Sequence, residues 1–139
     1  MAFSFQPFFP QSILSFGLVN AAVTTTTNLV QGGTNGTKIE TLVATSNDTI
    51  DHLVTFSLNV GGQITQLCQV NVPANSGNLV ALSMINLFGN TQFSWLPQDA
   101  NGNKYLYLAN NACSLVISAN SANATAHAVV SISGQAANY

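Results

Sequence analysis

The clearest pattern in the chain is an alternation of apolar and polar positions. Val54, Phe56, Leu58 and Val60 alternate with Thr55, Ser57 and Asn59, and after Gly61-Gly62 the apolar positions Ile64, Cys68, Val70 and Val72 continue the pattern. A period of two places one set of side chains on one face of a strand. Two such runs joined by Gly-Gly predict a β-hairpin with a primed turn, because both glycines accept positive φ. Further strand-length runs occupy residues 18–30, dense in Val and Thr, and residues 38–45, 79–87, 105–108, 115–118 and 125–133. In the last of these, Ala126, Ala128, Val130 and Ile132 alternate with His127, Val129 and Ser131. Gly32-Gly33, Asn35-Gly36, Ser46-Asn47-Asp48 and Asn101-Gly102 punctuate the runs as turns. No segment carries an i, i+3, i+4, i+7 apolar stripe over three turns. The pattern predicts an all-β chain: a single antiparallel β-sandwich over residues 18–139, best counted as an eight-stranded jelly roll.

Residues 1–17 read differently. Phe3, Phe5, Phe8, Phe9 and Phe16 crowd this stretch, Pro7 and Pro10 interrupt it, and no period of two is visible. Two readings are open. The segment is an extended N-terminal arm whose phenylalanines dock on another chain, or it is a lead-in and first strand covering the domain's own core. The arm reading sets the domain boundary at residues 17 and 18. Either way the rings must leave water, since each buried ring contributes about 2 kcal/mol. The segment lacks the cationic start of an export signal, and nowhere does the chain reach the roughly 18 unbroken apolar residues of a membrane-spanning helix.

Charge changes the picture most. Only 4% of the 139 residues are charged, against roughly a quarter in ordinary soluble domains. There is no arginine; Lys38 and Lys104 stand against Glu40, Asp48, Asp51 and Asp99, for a net charge of −2. Nucleic acid is excluded as a partner, because neutralising phosphates needs clusters of Lys and Arg. A polybasic membrane contact is excluded on the same ground. A surface wetted by Asn, Gln, Ser and Thr suits close contact with neighbours, where few ions then need desolvating.

Candidate chemistry is sparse. Cys68 and Cys113 have no metal-ligand spacing and lie in apolar runs, so they are expected as buried free thiols. Asp48, Asp51 and His52 form the one local concentration of titratable groups. They offer two carboxylates and an imidazole to a metal, or a solvated turn whose Asx side chains cap backbone groups; the turn is expected. His127 is expected at the surface, and Lys38 with Glu40 as an edge pair. Trp95, Tyr105 and Tyr107 are candidate interface aromatics and can also form a carbohydrate platform. Asn35, Asn47 and Asn123 match the N-x-[ST] pattern, a weak signal in so Asn-rich a chain. No nucleophile elbow or phosphate-binding glycine loop is present, so no catalytic, metal or cofactor site is expected and the chain reads as a non-enzyme.

The run from Ile39 through Thr45-Ser46-Asn47-Asp48 to His52, with the strand and Gly61-Gly62 after it, resembles small virion proteins of tailed bacteriophages. So do Leu96-Pro97-Gln98-Asp99 through Tyr107-Leu108 and the C-terminal stretch from Val129. The resemblance spans roughly residues 37–139 and rests on turn chemistry and alternation. It implies a jelly roll that decorates or cements the capsid surface of the virion, binding the major capsid protein and itself as a homotrimer. A tail or head-fibre position, or a glycan-binding module for host attachment, are the alternatives.

Overall fold

The structure, a computed structural model, describes residues 10–18, 20, 22–78, 82–125 and 127–139. Nine strands are found among them: β1 (Ser12–Leu18), β2 (Thr27–Gln31), β3 (Thr37–Ser46), β4 (His52–Val60), β5 (Gln63–Val72), β6 (Ile85–Asn86), β7 (Leu106–Leu108), β8 (Cys113–Ala119) and β9 (Val130–Asn138). The helical content described is two single 3-10 turns, Leu87–Gly89 and Thr91–Phe93.

The pairing is nested. β4 pairs with β5, β3 with β6 and β7, β2 with β8, and β1 with β9, all antiparallel. Folding that ribbon over gives one sheet in the order β1-β9-β3 followed by β6 and β7, and a second in the order β2-β8-β4-β5. This is a jelly roll, the architecture the sequence predicts, with one correction of count. The sixth position of the ribbon is shared by two short strands, β6 and β7, so there are nine rather than eight. Of the run at 79–87, the described residues contribute the two-residue β6, after which the chain leaves β3 to form the 3-10 turns.

Alternation explains the elements. The β4–β5 hairpin turns at Gly61 and Gly62, with φ of 59° and 92°, the primed geometry both glycines permit. Val54 and Phe56 face inward beside Leu115 and Ile117 of the neighbouring strand β8, and the other sheet contributes Ile39, Leu42 and Ile132 to the same core. The 3-10 segment closes one end of the sandwich with aromatic rings: Phe93, fully buried, meets Phe56 at 5.4 Å and Phe88 at 5.6 Å, both edge to face. That geometry suits the ring quadrupoles.

Two boundaries differ from expectation. The strand that opens the sandwich starts at Ser12, so residues 12–17 belong to the sheet and not to an arm. Leu14, Phe16 and Leu18 pack against the core, while Ile13 is 80% exposed. Phe16 thus serves the domain's own interior, for a physical reason: β9 needs a partner on that edge, and the alternation of Leu14, Phe16 and Leu18 supplies an apolar face. Phe3, Phe5, Phe8 and Phe9 lie outside the described residues. At the other end, β9 begins at Val130 rather than at residue 125. The described residues before it, Thr125 and 127–129, turn instead: Ala128 N donates to Thr125 O (3.2 Å) and exposed His127 has φ of 64°.

Gly134 sits at the tightest point. A Cβ there would lie 2.1 Å from Thr41 O and 2.7 Å from the Phe16 ring. Gly134→Ala is therefore expected to destabilise the protein by about 1–3 kcal/mol, as overpacking does, measured by urea unfolding; an unchanged midpoint would contradict this packing. Cys68 and Cys113 are free and buried, and burial pushes the Cys68 thiol up to about 11. Thiol reagents are expected to label neither until denaturant is added, and rapid native labelling would contradict the burial.

Candidate functional site

The strand break opens a cleft beside β3. On the side of β3 away from β9, β7 covers residues 37–39 and β6 covers Val43 and Ala44. Residues 40–42 between them have no strand partner on that side among the described residues. A cavity of about 540 Å³ opens there, walled by β3, the turn after β6 and the loop at 97–104. Lys38, Glu40, Asn86, Asp99, Lys104 and Tyr105 line it.

A bulge in β3 aims the lining. The register with β9 shifts between Ile39 and Thr41, leaving Glu40 as an extra residue. Glu40 and Thr41 therefore both face outward before Leu42 returns to the core. Bulges of this kind re-aim side chains beside functional sites. Two β9 residues accommodate it: Gly134 leaves room for the displaced Thr41 carbonyl, and Gln135 N donates to Thr41 Oγ1 (3.0 Å).

The charged groups are held in place. Lys38 Nζ lies 3.8 Å from Glu40 Oε1 and 4.8 Å from the centre of the Tyr105 ring. Asp99 Oδ1 accepts from the backbone N–H of Asn101 (2.9 Å) and of Asn103 (3.0 Å), closing the loop. The Asn103 N–H is the main reason that the Asp99 carboxyl stays below the usual range; burial opposes it, and Asn101 and the Lys38 charge help. A ring cluster borders the cleft: Tyr105 meets Tyr107 edge to face at 5.2 Å, and Tyr107 lies 6.2 Å from Tyr139.

Of six charged side chains in the chain, four line this cleft, including both lysines. The pair Lys38 and Glu40 is thus more than an edge contact. Asp99 and Lys104 drew no attention in the sequence, although a charge-poor chain that spends its few charges at 38–40 and 99–104 carries a signal. Of the expected interface aromatics, Tyr105 and Tyr107 meet here. Trp95 does not join them; it packs at 6.2 Å from Phe93 and donates Nε1–H to Gln92 O (2.7 Å).

The cluster at Asp48, Asp51 and His52 corrects a second expectation. It caps backbone groups, but Asp48 and His52 are fully buried rather than solvated. Asp48 accepts from the N–H of Thr49 (2.8 Å), Ala124 (2.8 Å) and Thr125 (3.2 Å), and His52 Nε2 is 2.7 Å from Asp48 Oδ2. Burial pushes the Asp48 carboxyl up, but the hydrogen bonds from His52, Ala124, Thr49 and Thr125 outweigh it and hold the group well below its usual range. A carboxylate only accepts, so Nε2 carries the proton and donates. Ser121 Oγ stands 3.5 Å from Nδ1, at the limit of a hydrogen bond. The resulting Ser–His–Asp series has a fully buried imidazole and ties the loop after β8 to the turn before β4. Asp51 is separate and exposed, accepting from Ala74 N (2.8 Å) and Asn71 Nδ2 (3.2 Å). Among the described residues no three His, Cys, Asp or Glu side chains converge as metal ligands.

Comparison of the chain with family models, with curated proteins and with solved structures gave no match. The fold class therefore stands on the strand order alone.

Asp48, Asp51 and Asp99 are all held below the ordinary carboxylate range. Their contribution to stability is complete above the unfolded carboxylate pKa, about 3.9, and is lost as the pH falls below it. Urea unfolding across the acid range should show this loss, and Asp48→Asn should flatten it. An acid limb of the same slope in the variant would remove Asp48 from the account.

Proposed function

We propose that the chain is a non-enzymatic structural protein of a tailed-phage virion, a decoration or cement protein that seats on the major capsid protein and on copies of itself as a homotrimer. The observation that carries this reading is where the charge is not. With four charged groups in the cleft and Asp48 buried, Asp51 is the one exposed charged side chain elsewhere on the described surface. A neighbour covering the rest of that surface desolvates almost no ions.

Apolar groups stand ready on the same surface: Ile13 on β1, Ile64 on β5, Met84 before β6, and Trp95 are each about half exposed or more. β5 is a sheet edge ten residues long without a charged residue or a proline, the devices that usually keep edges from pairing. Such an edge accepts a strand from a neighbour. Phe3, Phe5, Phe8 and Phe9 of the N-terminal segment supply further anchors in this reading, since buried aromatics dominate interface energies. Jelly rolls recur in capsid proteins, a likeness at the level of fold alone. A tail or head-fibre position would use the same surfaces.

Light scattering on the full chain should give a trimer whose mass does not change with salt. Ile64→Lys should leave the fold intact and weaken self-association about a hundredfold, as an unpaired charge buried at a cost of about 3 kcal/mol would. Purified virions, separated into heads and tails, should carry the chain in the head fraction. A salt-independent monomer absent from particles would overturn the reading.

A further inference from the structure

We propose that the cleft at the break between β6 and β7 is a binding site for a neutral saccharide. The proposal rests on the cleft alone and does not depend on the assembly role. Its volume of about 540 Å³ falls within the roughly 300–1,000 Å³ of small-molecule sites. Such sites are usually lined by apolar side chains with a few polar groups. Here the proportion is reversed, so the ligand must be polar over most of its surface.

The charge balance narrows the class. Two ammonium groups, Lys38 and Lys104, face two carboxylates, Glu40 and Asp99. An anion would gain the lysines and meet the carboxylates, and a cation would meet the reverse; neither finds a site of one sign. A hydroxyl-rich neutral molecule uses both. Its oxygens accept from the ammonium groups and from Asn86, and its hydroxyls donate to the carboxylates. The Tyr105 ring adds an apolar wall for the C–H groups of a sugar; the Lys38 ammonium lies over one of its faces and Tyr107 stands edge to face against it.

The side chains are placed before a ligand arrives. Glu40 is turned outward by the bulge, Lys38 is held by Glu40 and the Tyr105 ring, and Asp99 is fixed by two backbone N–H groups. Preorganisation lowers the ordering cost of binding. It also separates this site from a chance gap between loops, whose side chains would have no shared constraint.

The test is a two-dimensional amide NMR titration of the labelled full chain with N-acetylglucosamine, galactose, glucose and their disaccharides. Glycerol serves as the plain polyol control and triglutamate as the acidic-peptide control. At least one saccharide should shift the amides of residues 38–41, 86–89 and 99–105 saturably, with glycerol and triglutamate leaving them in place. Glu40→Gln and Tyr105→Ala should each weaken binding by about tenfold or more, while Asp51→Asn, outside the cleft, should not. Glu40→Gln is nearly isosteric at an exposed position, so its spectrum also shows that the fold is kept. No saturable shift with any saccharide would overturn the proposal, as would shifts that survive both cleft variants. A response to triglutamate alone would assign the cleft to an acidic peptide and overturn it equally.

Discussion

Everything in this fold depends on β9 lying between β1 and β3. The last strand bonds the first along seven residue pairs and β3 along nine, so β9 lies inside its sheet with β1 as the edge strand beside it. That closure is non-local, and its loop entropy must be met by burial of the apolar faces it creates. It also fixes the site. Because β9 is regular while β3 carries an extra residue, Glu40 and Thr41 are pushed outward together, and Gly134 is the point on β9 that lets them go. The same bulge falls opposite the gap between β6 and β7. The bulge sets the direction of the cleft's side chains, at the residues of β3 that lie between those paired with β7 and with β6.

Much of the sandwich was legible in the residues. The Val54 to Val72 hairpin, β3, β7 and β8 follow from alternation and from glycine-rich turns, which act locally. The misreadings share a different cause. Leu14, Phe16 and Leu18 alternate correctly, but the prolines and phenylalanines before them hid the period, and only the pairing with β9 turns them inward. The alternation around His127 suggested a strand, yet the Asn47 side chain takes the Val129 N–H (2.6 Å) and Asn123 takes the Ala128 carbonyl (2.6 Å), so side chains hold that stretch together with the backbone bond from Asn47 N to Val129 O (3.2 Å). Asp48 and His52 looked solvated because they are polar and adjacent to a turn. Their burial depends on the N–H groups of Ala124 and Thr125, 76 and 77 residues away in sequence. No local pattern carries that information.

The cleft was half legible. Tyr105 and Tyr107 stood out as a candidate platform and do meet, whereas Trp95 belongs to the aromatic closure around Phe93. The four charges that define the cleft come from two segments some sixty residues apart, and only the strand topology brings them together. Their gathering has a consequence for the rest of the molecule. A chain with so few ions that places most of them in one concave site leaves Asp51 as the one exposed charge elsewhere on the described surface. The proposed contact with neighbours and the proposed recognition of a polar ligand would then use different parts of one small domain.

The scarcity of amines makes that arrangement directly measurable. Lys38 and Lys104 are the only lysines in the chain, and both line one cavity. Treating the dilute full chain with a short amine-reactive bifunctional reagent and mapping the products by mass spectrometry tests the gathering of charge without any assumption about function. The account predicts an intramolecular bridge between Lys38 and Lys104 as the dominant product between lysines. Single modifications alone, or bridges between lysines only across copies, would mean that the two segments do not meet and that the cleft, with the division of the surface built on it, is wrong.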